Sequence, residues 1–154
     1  MLEMYSVEEW VWILLACKSE ICGQTGSHTS SIRARVGTSL WLEQIIHCRE
    51  NHRCVVTSIG CSAGQVKVYD SLYRSIDQVT LNLISSLFGS NTQVKLELGP
   101  KQLGVKDCGV FAIATATLLA NGGNPTTATF NQQAMRSHLI KTFENSHLQT
   151  FSEN

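Results

Sequence analysis

Residues 110–120, VFAIATATLLA, are apolar on nearly every side, which suits a helix buried all round rather than an amphipathic one. The run follows a polar turn containing Gln102, Gly104, Lys106 and Asp107, so Cys108 stands where turn becomes helix. Upstream, LEQIIHC, RCVVTSIG and QVKVYDSL predict three successive strands, with Asn51 and CSAG at the turns between them. In IDQVTLNLISSLFG, Ile76, Val79, Leu83, Ile84 and Leu87 recur at helical spacing, and Gly89 stops the helix. TQVKLELG alternates and predicts a further strand. After the loop NGGNPTT, FNQQAMRSHLIKTFEN predicts a last helix. Near the start, VEEWVWILLACKSEI predicts a helix opened by Ser6 with Glu8 and Glu9 in its first turn. Residues 23–39 are rich in breakers and read as a polar loop. The order is helix, loop, three strands, helix, strand, helix, helix: a mixed α/β (α+β) domain rather than a doubly wound repeat.

Composition narrows the setting. The 154 residues fit one domain. Twelve basic residues balance twelve acidic ones, and Arg33, Arg35, Arg49, Arg53 and Arg74 form no run, so neither nucleic acid nor a membrane surface is an expected partner. The apolar WVWILLAC is too short to span a bilayer. It follows Glu3, Glu8 and Glu9, where a signal peptide would carry positive charge, so a buried helix is expected there. Six cysteines without an evident secretory signal read as reduced thiols in an intracellular setting, nucleus or cytoplasm. Cys17 and Cys22 lack a compact set of partner ligands, and no metal site is expected.

The position of Cys108 raises a chemical question. The positive end of a helix favours the thiolate, the form that attacks carbonyls. A cysteine nucleophile also needs an imidazole to take its proton, a group to orient that imidazole, and donors for the oxyanion. His52 lies where the second strand begins and Asp70 where the third ends, so adjacent strands would bring both to one sheet end. Gln102, six residues before Cys108 across a glycine-containing turn, can fold back so that its amide and the Cys108 N–H meet one oxyanion. Each residue has a plainer reading: Cys108 a packed core thiol, His52 a solvated turn residue, Asp70 an acceptor for the strand-exit turn, Gln102 a surface side chain. His47 is a rival base, but mid-strand it is better suited to packing or solvent.

NHRCVV, VKVYDSLY and QLGVKDCGVF resemble the His, Asp and Gln-to-Cys motifs of the ubiquitin-like-protein protease family, which includes the SUMO-specific proteases and is related to adenovirus proteases. The resemblance covers roughly residues 40–144 and takes in the later MRSHL. Its most specific piece is a glutamine six residues before Asp-Cys-Gly, with His and Asp upstream in that order. The variant is most similar to divergent copies often associated with mobile elements in invertebrate genomes. The resemblance implies a papain-like cysteine protease fold, a central mixed sheet with the nucleophile helix packed against it. It makes His52 the base, Asp70 its orienting partner, Gln102 the oxyanion donor and Cys108 the nucleophile. The activity implied is that of a thiol protease or isopeptidase, of the deSUMOylating kind, cleaving after the C-terminal tail of a ubiquitin-like protein.

A monomer is expected, with a ubiquitin-like protein or its conjugates as partner and no metal or organic cofactor. Two features depart from the family: Arg53 stands where it has a tryptophan lining the substrate channel, and residues before 40 do not resemble its N-terminal part. The expected organisation is an N-terminal helix and polar loop over 1–39, atypical or truncated, a catalytic domain over 40–146, and a tail over 147–154. Two other classes compete. One is a catalytically decayed, non-enzymatic binding module for a ubiquitin-like partner. The other is a redox-sensing thiol protein, which would use Cys108 without His52 or Gln102.

Overall fold

In a computed structural model, described over residues 32–36, 39–49, 52–145 and 150–151, five strands form one sheet in chain order. They are β1 (Ile32–Val36), β2 (Ser39–Cys48), β3 (His52–Thr57), β4 (Gln65–Asp70) and β5 (Gln93–Leu98). The first four pair antiparallel, and β5 runs parallel to β4. A parallel neighbour cannot be reached through a tight hairpin, and α1 (Gln78–Phe88) supplies the crossover. Asp77 starts α1 by accepting the amide of Thr80, and Gly89 ends it at a φ of 108° that an L side chain would resist.

The period of two divides the strands between two cores. On one face Ile46, Cys48, Cys54, Val56, Val66 and Val68 close over Ile84 of α1. On the other, Val55 and Tyr69 meet Ala112, Ala116 and Leu119 of α2 (Cys108–Ala120). The outer side of α2 carries Phe111, Ile113 and Ala114, which pack with Phe130, Met135, Leu139 and Phe151 beside α3 (Gln132–Asn145). With the sheet on one side and α3 on the other, α2 has no solvent face to keep polar, which accounts for its uniformly apolar sequence. Burying Phe111 alone contributes about 2–3 kcal/mol. Phe151, in the expected tail, is buried against Phe130 and His138.

The α+β layout matches the expectation, with one correction. A strand, β1, occupies residues 32–36 inside the stretch read as polar loop. IRARV alternates, but over five residues amid serines, threonines and glycines the alternation is outweighed by breakers, and pairing with β2 is what makes it a strand. The helix expected over VEEWVWILLACKSEI, with Cys17 and Cys22, lies outside the described residues. Among the described residues no helix is long and apolar enough to cross a membrane.

Candidate active site

β3 begins with His52, β4 ends with Asp70, and the two strands are antiparallel neighbours. Both side chains therefore arrive at one end of the sheet, where His52 Nε2 and Asp70 Oδ1 are 2.8 Å apart. The pair is 3% and 7% exposed, which rules out the reading of His52 as a solvated turn residue. Asp70 Oδ1 also accepts the backbone N–H groups of Leu72 and Tyr73, each at 2.8 Å, so the carboxylate folds its own strand exit into a turn. Both readings of Asp70, turn acceptor and imidazole partner, hold at once.

Burial pushes the Asp70 carboxyl up, but the hydrogen bond from His52 and those from the two amides outweigh it and hold the group below the ordinary carboxylate range. An ionised carboxylate only accepts, so His52 donates from Nε2, and in the neutral ring the lone pair is then on Nδ1. That is the tautomer a base requires. The edge of the Tyr73 ring meets the imidazole, with centroids 4.9 Å apart and planes at 84°. Arg49, in the left-handed turn after β2 (φ 53°), stacks its guanidinium 4.1 Å from the Tyr73 ring centroid and donates to the Ser75 carbonyl. The strand exit that carries Tyr73 is thereby clamped to the β2–β3 hairpin.

Gln102 is buried beside the same strand exit. Its backbone N–H donates to the Ser71 carbonyl, and its Oε1 accepts the Ser71 hydroxyl at 2.7 Å. These contacts orient the amide, and Nε2 donates to the Gly104 carbonyl at 2.8 Å. One amide hydrogen is committed there, and an amide nitrogen carries two. Gln102 is thus tied to the residue that follows Asp70.

Cys108 opens α2 and is buried. A Cβ on Gly109 would lie 3.6 Å from Cδ of Arg53, so the first turn of α2 rests on the end of β3 that His52 begins. Asp107, just before the cysteine, makes no side-chain cap on α2. Its carboxylate instead accepts from Gln132 Nε2 at 2.7 Å and from Arg136 Nε at 2.9 Å, both on α3. Burial pushes this carboxyl up, and the two donors bring it below its usual range. Gln132 also brackets Leu103, accepting its N–H and donating to its carbonyl. The loop between Gln102 and Cys108 is therefore held from α3.

The structure thus joins His52 to Asp70 directly and Gln102 to Ser71, and it sets the Cys108 turn against Arg53. Sequence reasoning missed the bracing residues Arg49, Tyr73, Gln132 and Arg136. For Gln132 and Arg136 no local signal exists, because the contacts span about thirty residues of chain. His47, the rival base, is exposed.

No family model and no curated protein sequence matches the chain. Solved structures do. A SUMO protease Ulp1 with its catalytic cysteine oxidised to a sulfenic acid superposes with a TM-score of 0.55 at 13% identity, covering 69% of this chain and 53% of that one. The C-terminal Ulp1 protease domain in complex with SMT3, the yeast ortholog of SUMO, gives 0.50 at 16% identity, over 66% and 52%. The chain spans about half the length of these protease domains. At such identities the likeness is one of fold, and the fold is that of the Ulp1 SUMO protease domains.

Proposed function

We propose that the protein is a cysteine peptidase, a protease or isopeptidase acting on the C-terminal tail of a ubiquitin-like protein of the SUMO type. The observation that supports this reading is the buried His52–Asp70 pair at the end of β3, next to Arg53, on which the first turn of α2 rests. In this mechanism Nδ1 of His52 takes the thiol proton of Cys108, and Asp70 holds the ring and stabilises the imidazolium. The thiolate attacks the carbonyl that ends an extended tail, forming a tetrahedral oxyanion. The second N–H of Gln102 and the backbone N–H of Cys108 receive that charge; a helix does not consume its first-turn amides internally. His52 returns the proton to the leaving amine. Water, deprotonated by the same imidazole, then releases the acyl group from sulfur. No step calls for a metal or organic cofactor.

A ubiquitin-like partner is supported by a fold relative that is seen with SMT3. The chain acts as a monomer in nucleus or cytoplasm in this reading. Arg53 favours a second one, a decayed module that keeps the fold and binds a ubiquitin-like partner without cleaving it. Vinyl-sulfone derivatives of SUMO-type and ubiquitin-type proteins separate the two. The peptidase forms a covalent adduct at Cys108 with the SUMO-type probe, located by peptide mapping. A folded protein that binds the probe without an adduct is the decayed module, and one that ignores both probes contradicts both readings.

A further inference from the structure

The second oxygen of Asp70 faces away from the His52 contact toward two thiols. Cys48 Sγ donates to Asp70 Oδ2 at 3.8 Å, and Cys54 Sγ completes a group whose three ligand atoms lie within 4.8 Å of one another. All three side chains are buried. The hairpin register explains the meeting: Cys48 pairs with His52 and Ile46 with Cys54, so the two cysteines are diagonal neighbours on one sheet face. Asp70 reaches them from the end of β4.

The cluster lines a cavity of about 10 Å³, which Ile76, Asp77 and Thr80 also line from the α1 side. That is room for a single water-sized atom. Thr80, 3% exposed, lines the same cavity, and its Oγ1 has no hydrogen-bond partner among the described residues. A buried hydroxyl left unpaired is destabilising, and a ligand in the cavity removes that cost.

We propose that Cys48, Cys54 and Asp70 form a binding site for a thiophilic divalent cation of the zinc type, with the Thr80 hydroxyl, rather than a separate water, at the fourth position. The dimensions fit. Zinc–sulfur bonds of about 2.3 Å and zinc–oxygen bonds of about 2.0 Å at tetrahedral angles put ligand atoms roughly 3.5–3.8 Å apart. The 3.8 Å between Cys48 Sγ and Asp70 Oδ2 is already near that edge. Two soft sulfurs with one oxygen select zinc or cobalt over calcium or magnesium. Binding displaces both thiol protons to solvent, and the ion carries the charge of the two thiolates and the carboxylate. Asp77 on the cavity wall adds negative potential, against which Arg49 stands as the one cation among the lining residues.

The site has a consequence for the chemistry proposed above, on which that consequence alone rests. An ion on Oδ2 draws charge from the carboxylate that His52 bonds through Oδ1. The imidazolium loses its stabilisation, and the ion inhibits from behind the catalytic pair.

The test uses the full chain as Cys108→Ala, which removes the alternative cysteine–histidine pair, under reducing and anaerobic conditions. Titration with Co²⁺ should produce a thiolate-to-cobalt charge-transfer band that saturates at one equivalent and is bleached by Zn²⁺. The band should be lost in Cys48→Ser with Cys54→Ser and kept in Cys61→Ser. Absence of the band in the folded Cys108→Ala protein overturns the site, as does its persistence in the folded double variant. Should the double variant fail to fold, maleimide labelling in mild denaturant replaces it: Zn²⁺ must slow labelling of Cys48 and Cys54 but not of Cys61, and uniform labelling overturns the proposal. Because the reading is optical or chemical, it stands apart from whether the protein cleaves anything.

Discussion

At the scale of single residues, the pair His52 and Asp70 sets the strictest demands. Asp70→Asn keeps the shape but offers an amide that can present N–H to Nε2, which favours the wrong tautomer; activity should fall severely, though not to that of Cys108→Ala. Gln102→Ala should lower kcat by on the order of a hundredfold with KM little changed, as for loss of one oxyanion donor. Steady-state kinetics on a diglycine-ended ubiquitin-like substrate would read both, and full activity in Gln102→Ala would make its contacts with Ser71 and Gly104 purely structural. Arg53 is the residue where this chain departs from its fold relatives' family. In the proposed substrate channel tryptophan would give a rigid apolar wall, while an arginine brings a charged and longer, more flexible side chain. Arg53→Trp should therefore raise kcat/KM on that substrate; an unchanged or lower value in a folded enzyme refutes the channel role.

Glu43 on β2 is a residue with no part in the site. It is buried, its Oε1 has no hydrogen-bond partner among the described residues, and burial pushes its pKa up from 4.5 to about 8. A carboxyl whose pKa is raised on folding binds its proton more tightly in the native state, so its contribution is whole below pH 4.5 and is lost as pH rises through about 8. Wild type should lose on the order of 3–5 kcal/mol relative to Glu43→Gln between those limits. Urea unfolding of both proteins at acidic and alkaline pH measures this, and parallel pH profiles would show that Glu43 is solvated.

At the scale of elements, the Cys108 turn is positioned from α3 as well as from its own helix. Arg136 is an exposed side chain whose hydrogen bonds go to Asp107 and the Lys106 carbonyl. Arg136→Ala should leave the melting temperature nearly unchanged, since exposed ion pairs contribute little. It should lower kcat by loosening the turn, with Arg136→Lys recovering only part because lysine lacks the planar fork. Equal kcat in all three proteins would show that Gln132 alone fixes the loop.

The elements were also unevenly legible. β4 and α1 follow directly from alternation in QVKVYD and from helical spacing in QVTLNLISSLF, because each buries one face that its own sequence displays. β1 does not, since five alternating residues become a strand only against β2. The site shows the same division. His52 and Asp70 could be placed at strand ends, and strand adjacency then brought them together. The Cys48–Cys54–Asp70 cluster and the Arg49–Tyr73 stack depend on hairpin register and a left-handed turn, which no periodicity reveals.

At the scale of the whole molecule, one helix connects stability with chemistry. α2 carries the proposed nucleophile at its first residue and Phe111, part of the core beside α3, one turn later. Phe111→Ala should cost about 3–5 kcal/mol and, near the melting transition, activity with it.

The central claim is that Cys108 and His52 act as one unit, and it can be tested without knowing the substrate. The measurement is the rate of alkylation of each cysteine at pH 7, mapped by mass spectrometry in wild type and in His52→Ala. Cys108 should react fastest of the six despite its burial, and His52→Ala should slow that site while leaving Cys61 unchanged. If Cys54 or Cys61 reacted first, or if Cys108 reacted equally fast without His52, the catalytic account would be contradicted.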